Sequence, residues 1–186
     1  QYGPNWVIQR DRARARDGNR CQVCGLEERG KAHHVHHKTP FRLFTSFLDA
    51  NQLENLVTLC PACHHRVELA VRVRSGLSGL AYVLSHLAPF FLMCDIGDLG
   101  VSADPQAAIA EGLPCVTLYD QIPAGIGLSQ KLFETHQELM LRAYELVRDC
   151  SCSDGCPSCV GPGGENGLGG KSETLAILTA LTGEID

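Results

Sequence analysis

The spacing of apolar positions changes several times along the chain, and each change marks an element. VIQRDRARARDGNR reads as a basic helix ending near Gly18. VHHKTP reads as a short strand entering a turn at Pro40, and ENLVTLC as a second extended stretch. PACHHRVELAVRV follows as a helix with Pro61 in its first turn. LSGLAYVLSHL again has helical spacing. FFLMC and CVTLY are compact apolar runs that each reach an aspartate, Asp95 and Asp120, and are expected as buried strands. LSQKLFETHQELMLRAYELVRD is expected as one long amphipathic helix, with Leu132, Leu139, Tyr144 and Leu146 among its apolar positions. SETLAILTALTG predicts a closing helix, and no internal repeat is present.

Charge divides the chain. Residues 1–75 carry a net +5 and residues 76–186 a net −10. Together with RSGLSG at 74–79, this places an expected domain boundary near residue 75, giving domains 1–75 and 76–186. The basic half suits phosphate contact and the acidic half does not. The longest apolar stretches are interrupted by charge, Pro or Gly before about 18 residues, so no membrane span and no membrane partner are expected. No secretory signal is read, so the expected compartment is the cytoplasm. A chain that begins at Gln1 rather than Met is expected to be a piece of a longer protein.

Eight of the ten cysteines fall in clusters: Cys21-x-x-Cys24, Cys60-x-x-Cys63, and Cys150, Cys152, Cys156 and Cys159. Two residues between thiols is the spacing of a metal knuckle, and without a secretory signal zinc is favoured over disulfides. Four thiolates close a tetrahedral site, which makes it structural. For the second cluster an iron–sulfur centre is the weaker alternative. Cys94 and Cys115 sit in apolar runs and read as small buried hydrophobes.

Four of the eight histidines lie in HHVHH, residues 33–37. His36 and His37 are adjacent on the expected strand, so they face opposite ways. His64 and Glu68 are four apart and share a helix face. A strand histidine with that helix pair would form an incomplete shell with room for water and phosphate, as a catalytic metal requires. Cys-x-x-Cys, HHKTP and ENLVTLCPACH together resemble an HNH endonuclease of the ββα-metal fold, over roughly residues 5–73. The resemblance implies that His37 is the general base and His36 a ligand of the catalytic metal. It implies that Asn55 braces the loop and orients the base, and that His64 is a second ligand. Glu68 stands where many members have His. Lys38, Arg42 and Arg66 are candidate phosphate contacts, with plain solvated charge as the alternative. His33, His34 and His65 are expected in structural or surface roles, with DNA contact as the alternative.

HLAPFFLMCD, LYDQIPAGIGLS and GCPSCVGP resemble, over residues 77–182, the C-terminal zinc-binding domain of MrfA-type DEAD/DEAH helicases. Ala124 in IPAGIG departs from an expected Gly-Gly pair. Asp95, Asp98 and Asp120 are expected to cap helices and turns rather than form an acidic site. GGENGLGGKS looks like a phosphate loop but has Glu165 where that motif needs Gly, so it reads as a loop and the chain carries no ATPase motor.

The expected fold is α+β: a small zinc-stapled ββα-metal domain plus an α/β domain with a four-cysteine zinc site. The expected cofactors are two structural Zn2+ and one catalytic divalent metal, Mg2+ or Mn2+, with Zn2+ or Ni2+ as alternatives. The expected partners are DNA and a helicase motor, upstream in cis or in trans. The expected function is metal-dependent hydrolysis of DNA phosphodiester bonds. Two rivals stand beside it: a non-catalytic nucleic-acid-binding module built on the same scaffold, and a regulatory module that docks on a helicase through its acidic half.

Overall fold

The structure, a computed structural model, describes residues 2–121, 127–161 and 170–183. Most of IPAGIG, Ala124 included, and most of the Gly-rich loop therefore lie outside the described residues. The fold is α+β, and the chain divides into two units, Gln1–Ala70 and Val71–Asp186.

In the first unit, helix α1 (Trp6–Arg16) is amphipathic only weakly and buries Ala13. Its end is tied down by charge. Asp17 accepts the backbone N–H of Thr58 at 2.9 Å and pairs with Arg16 at 2.8 Å. Arg16 also donates to the carbonyls of Leu53 and Leu56. Strand β1 (His34–His37) runs antiparallel to β2 (Leu56–Leu59), with His36 opposite Val57 and His37 opposite Leu56. A short helix α2 (Phe47–Ala50), capped by the Ser46 hydroxyl, lies in the connection. Leu56, Leu59, Ala50 and Ala13 are buried. β2 leads through Cys60 into α3, which starts at Pro61, completing a ββα arrangement.

Helix α3 runs unbroken from Pro61 to Leu92, through the RSGLSG stretch expected as a boundary. Isolated glycines weaken a helix by about 1 kcal/mol each relative to Ala, without ending it. Here they also permit close packing. A Cβ at Gly79 would overlap Thr174 Oγ1, and one at Gly76 would lie 2.6 Å from Ile177 Cδ1. Both contacts belong to helix α6 (Lys171–Thr182), so the glycines let two helix backbones approach. FFLMC is not a strand. It continues the stripe Leu80, Leu84, Ala88, Leu92, all buried, while Phe90 and Met93 stay exposed. Met93, with φ 52°, sits just past the helix end.

The second unit's core contains α3, α6 and α5 (His136–Asp149), through Val83, Leu139, Ala143, Val147 and Leu178. The expected single helix over 128–149 is two, α4 (Leu128–Glu134) and α5, separated at Thr135. CVTLY does form a strand, within β4 (Leu113–Asp120), but a half-exposed one. Its antiparallel partner β3 (Leu99–Ala107) is broken in register between Asp104 and Ala107, where Pro105 sits.

By length and composition, α3 could cross a membrane, with an 18-residue window of mean hydropathy 1.3. Half of that window is buried within the protein, as in the core helix of a globular domain.

Candidate metal centres and the histidine face

Cys21, Cys24, Cys60 and Cys63 bring their sulfurs within 4.8 Å of one another. Cys24 Sγ and Cys60 Sγ are 3.7 Å apart. Zinc–sulfur bonds of about 2.3 Å in a tetrahedron require edges of about 3.8 Å, so the donor set fits one zinc ion. Each pair is shaped by its own backbone: the Gly25 N–H returns to the Cys21 carbonyl at 2.8 Å, and the Cys63 N–H points at Cys60 Sγ. Four thiols this close cannot all ionise unaided. Burial opposes ionisation of Cys21, but the backbone N–H groups of Cys60, Cys24 and Val23 outweigh it and bring the thiol down to about 6. At Cys63 the Arg66 guanidinium, 3.1 Å from the sulfur, favours thiolate, yet burial and the neighbouring sulfurs push it up to about 11. A dication removes that conflict.

The second set is Cys150, Cys152, Cys156 and Cys159, with four sulfur–sulfur distances of 3.5 to 3.6 Å. It also fits one zinc ion. The Cys152 backbone N–H leads the effects that lower Cys150 to about 7, while burial first of all raises Cys159 to about 12. Lys171, the first residue of α6, donates its ammonium to the carbonyls of Cys150 and Cys152. That contact anchors the start of the helix to the metal loop.

The histidines of β1 separate by face. His34 and His36 point to one side and pack against His64 of α3, with ring centres 4.8 and 5.3 Å apart at steep angles. Glu68 lies on the same side, its Oε1 3.6 Å from His64 Nε2. Burial lowers the pKa of His36 and of His64; the Glu68 carboxylate opposes this and the neighbouring imidazoles add to it, with a net lowering that favours the neutral, ligating form near pH 7. Among the described residues, only the two cysteine sets bring three or more ligand atoms within 4.8 Å of one another. His36, His64 and Glu68 thus share a face without closing on one point.

His37 occupies the opposite face and is 8% exposed. Its ring stacks on Trp6 at 4.9 Å and packs against Tyr2 and Phe41. His37 Nε2 lies 2.9 Å from Asn51 Oδ1. The Asn51 amide nitrogen donates to the Tyr2 carbonyl and to Asn5 Oδ1, both at 2.7 Å, so its oxygen is the end turned to the imidazole. In neutral His37 the proton therefore sits on Nε2 and the lone pair on Nδ1. Sequence reasoning misses Asn51, Asn5 and Tyr2, which belong to no motif. Trp6, the chain's single tryptophan, is the one available signal.

Asn55 holds the loop after β1 from both ends of its amide: Oδ1 accepts from the Thr39 N–H, and Nδ2 donates to the carbonyls of Thr39 and Ala50. The hydrogen-bond partner of the His37 ring is Asn51. The Lys38 ammonium donates to the Glu54 carbonyl, and Arg66 is engaged with Cys63. Arg42 is exposed on a 3-10 turn, Phe41–Leu43. His33 is buried, bonding to the Leu26 carbonyl, and His65 is exposed. The basic charge of α1 is largely answered locally: Arg14 pairs with Glu28, Arg16 with Asp17 and Arg10 with Asp11. Asp95 and Asp98 cap each other's backbone in a capping box, and Asp120 accepts from Gly127 and Ser129 at the start of α4.

Known proteins carry both halves of this arrangement. Residues 21–68 match the HNH endonuclease family and residues 80–160 the MrfA Zn-binding domain. The chain is 39% identical over 106 residues to the uncharacterized ATP-dependent helicase YprA of Bacillus subtilis, covering 57% of this chain and 14% of YprA. It is 36% identical over 45 residues to the uncharacterized protein MJ1572.1 of Methanocaldococcus jannaschii, covering 24% and 40%. Among solved structures it is similar to the DUF1998 helicase MrfA bound to DNA, with a TM-score of 0.54 and 37% identity over 59% of this chain and 14% of that one. The chain thus spans about one seventh of the length of these helicases. It joins an HNH segment, beginning at its first zinc-site cysteine, to a zinc-binding domain of the MrfA type.

Proposed function

We propose that this chain is a metal-dependent HNH DNA endonuclease, residues 1–75, joined to a helicase-associated zinc domain, residues 76–186. It forms the C-terminal part of a DEAD/DEAH helicase, or partners one in trans, in DNA repair or phage defence. The observation that carries the nuclease reading is the bond between His37 and Asn51. It leaves Nδ1 of His37 as the proton acceptor, the form a general base needs near neutral pH. Asn51 orients that ring, and Asn55 holds the loop that follows it. His36, His64 and Glu68 would hold a divalent cation. When bound, the cation stabilises the negative charge that develops on the phosphate and the leaving oxygen. His37 takes the proton of the attacking water.

Purified protein with Mg2+ or Mn2+ is expected to nick or cut DNA. His37→Ala should abolish cleavage with both zinc ions retained. Wild-type protein that leaves every DNA form intact with each divalent metal overturns this reading.

A second reading, a non-catalytic nucleic-acid-binding module, is favoured by two observations. His36, His64 and Glu68 do not converge among the described residues, and the imidazole of His37 is largely buried. It predicts salt-dependent DNA binding that is indifferent to His37→Ala, with no cleavage.

A further inference from the structure

We propose that His34 is a ligand of the same metal face, so that the cation is held by three imidazoles, those of His34, His36 and His64. This deepens the nuclease reading and rests on it. His34 and His36 are two apart on β1 and emerge on one side of the sheet. His64 stands between them, its ring centre 4.8 Å from that of His34 and 5.3 Å from that of His36. Both ring pairs are near perpendicular, at 78° and 80°. Imidazoles that share one cation through bonds of about 2.1 Å have ring centres about 5 Å apart. The two observed separations bracket that value, and His34 approaches His64 more closely than His36 does.

The chemistry of the donors agrees. His34 is exposed, and no hydrogen bond holds its side chain among the described residues. The ring nitrogens of His34, His36 and His64 do not all lie within 4.8 Å of one another here, so binding requires His34 to turn about its own side-chain bonds. Glu68, 53% exposed and 3.6 Å from His64, stands beside these imidazoles as an oxygen donor. Three imidazoles suit borderline transition metals such as Ni2+ or Zn2+, whereas Mg2+ takes oxygen ligands.

The test measures metal binding directly. Full-chain protein carrying two zinc ions is titrated with Ni2+ by equilibrium dialysis, and nickel and zinc per chain are counted. Wild-type protein is expected to take up one Ni2+. His34→Ala and His34→Gln should each weaken that uptake at least about tenfold, as loss of a metal-site residue does, with zinc content unchanged. His65→Ala, one residue beyond His64 and exposed, should leave it unchanged. Wild-type affinity in both His34 variants overturns the inference, as does a His34 variant that loses DNA binding alone. If His36→Ala and His64→Ala abolish uptake while His34→Ala does not, only the role of His34 fails. If none of the three changes it, the metal face itself fails.

Discussion

His37 Nε2 and Asn51 Oδ1, 2.9 Å apart, join a strand to the end of a short helix, and the Asn51 amide has no freedom to turn because both its N–H bonds are taken. One fully buried side chain therefore sets the proton position on the imidazole. It also closes a pocket made from three separate segments.

Asn51→Ala should accordingly cost more than one hydrogen bond. It strands the Tyr2 carbonyl and Asn5, and it unties His37. Of the three partners the imidazole of His37 is buried, and a buried polar group left without its partner costs about 1 to 3 kcal/mol. Urea unfolding followed by the emission of Trp6, which stacks on His37, is the measurement. An unchanged midpoint would mean that the pocket does not depend on Asn51.

Two zinc ions per chain are expected. Cys60→Ser should lower the content to one and shift the emission of Trp6, since the first unit has few buried apolar side chains of its own. Structural zinc contributes on the order of 10 kcal/mol in small zinc domains. Cys156→Ser should also leave one ion. Metal analysis after gel filtration counts them, and full zinc content in either variant contradicts the assignment of ligands.

The Arg14–Glu28 pair gives a pH signature. Arg14 donates twice to Glu28, and the His33 N–H donates once, at 2.8 Å. The Arg14 bond leads the effects that hold the Glu28 carboxyl below its ordinary value, against a smaller opposing effect of burial. A depressed carboxyl stabilises the fold above its unfolded pKa, about 4.3. That stabilisation is lost as pH falls through the lower folded value. Glu28→Gln should be less stable than wild type by about 1 kcal/mol at pH 7. The gap should vanish on acidification. Paired urea titrations across about pH 3 to 7 measure it, and a gap that widens toward acid contradicts the pairing.

Gly79→Ala tests the helix contact in the second unit. Intrinsic helix propensity favours Ala by about 1 kcal/mol. The new Cβ, however, would overlap Thr174 Oγ1 and meet Val160 Cβ at 3.1 Å. Overpacking of this kind costs about 1 to 3 kcal/mol, so a net loss of stability is expected in thermal or urea unfolding. A stabilised variant would show that α3 and α6 can move apart without penalty.

The metal sites are legible in the sequence because knuckle spacing is local: two residues between thiols fix the geometry whatever surrounds them. The opposition of His36 and His37 is legible for the same reason, since strand alternation needs no tertiary information. The surroundings of His37 are not, because Tyr2, Trp6, Phe41 and Asn51 come together from distant segments. The boundary expected near residue 75 lies close to the division of the chain at Ala70 and Val71, but RSGLSG itself is helical, and its glycines serve the contact with Thr174 and Ile177. FFLMC misleads because five apolar residues fit a buried strand and the end of a helix equally well. β3 escapes notice because LGVSADPQA is poor in strand-forming residues, and its pairing with β4 supplies the order. The split at Thr135 carries no sequence signal strong enough to interrupt the apolar stripe.

The first zinc site has a topological consequence. Its ligands come in pairs from the two ends of residues 25–59, so the ion ties that stretch at its neck like a drawstring. The hairpin strands, Asn51, His36 and His37 all lie inside the tied loop, while His64 lies just outside it and Trp6 well before it. Loop closure entropy grows only slowly with length. The stretch within the neck can therefore lengthen or shorten at its tips with little change in the closure itself, and the histidine face can diversify while the knot that bounds it stays the same.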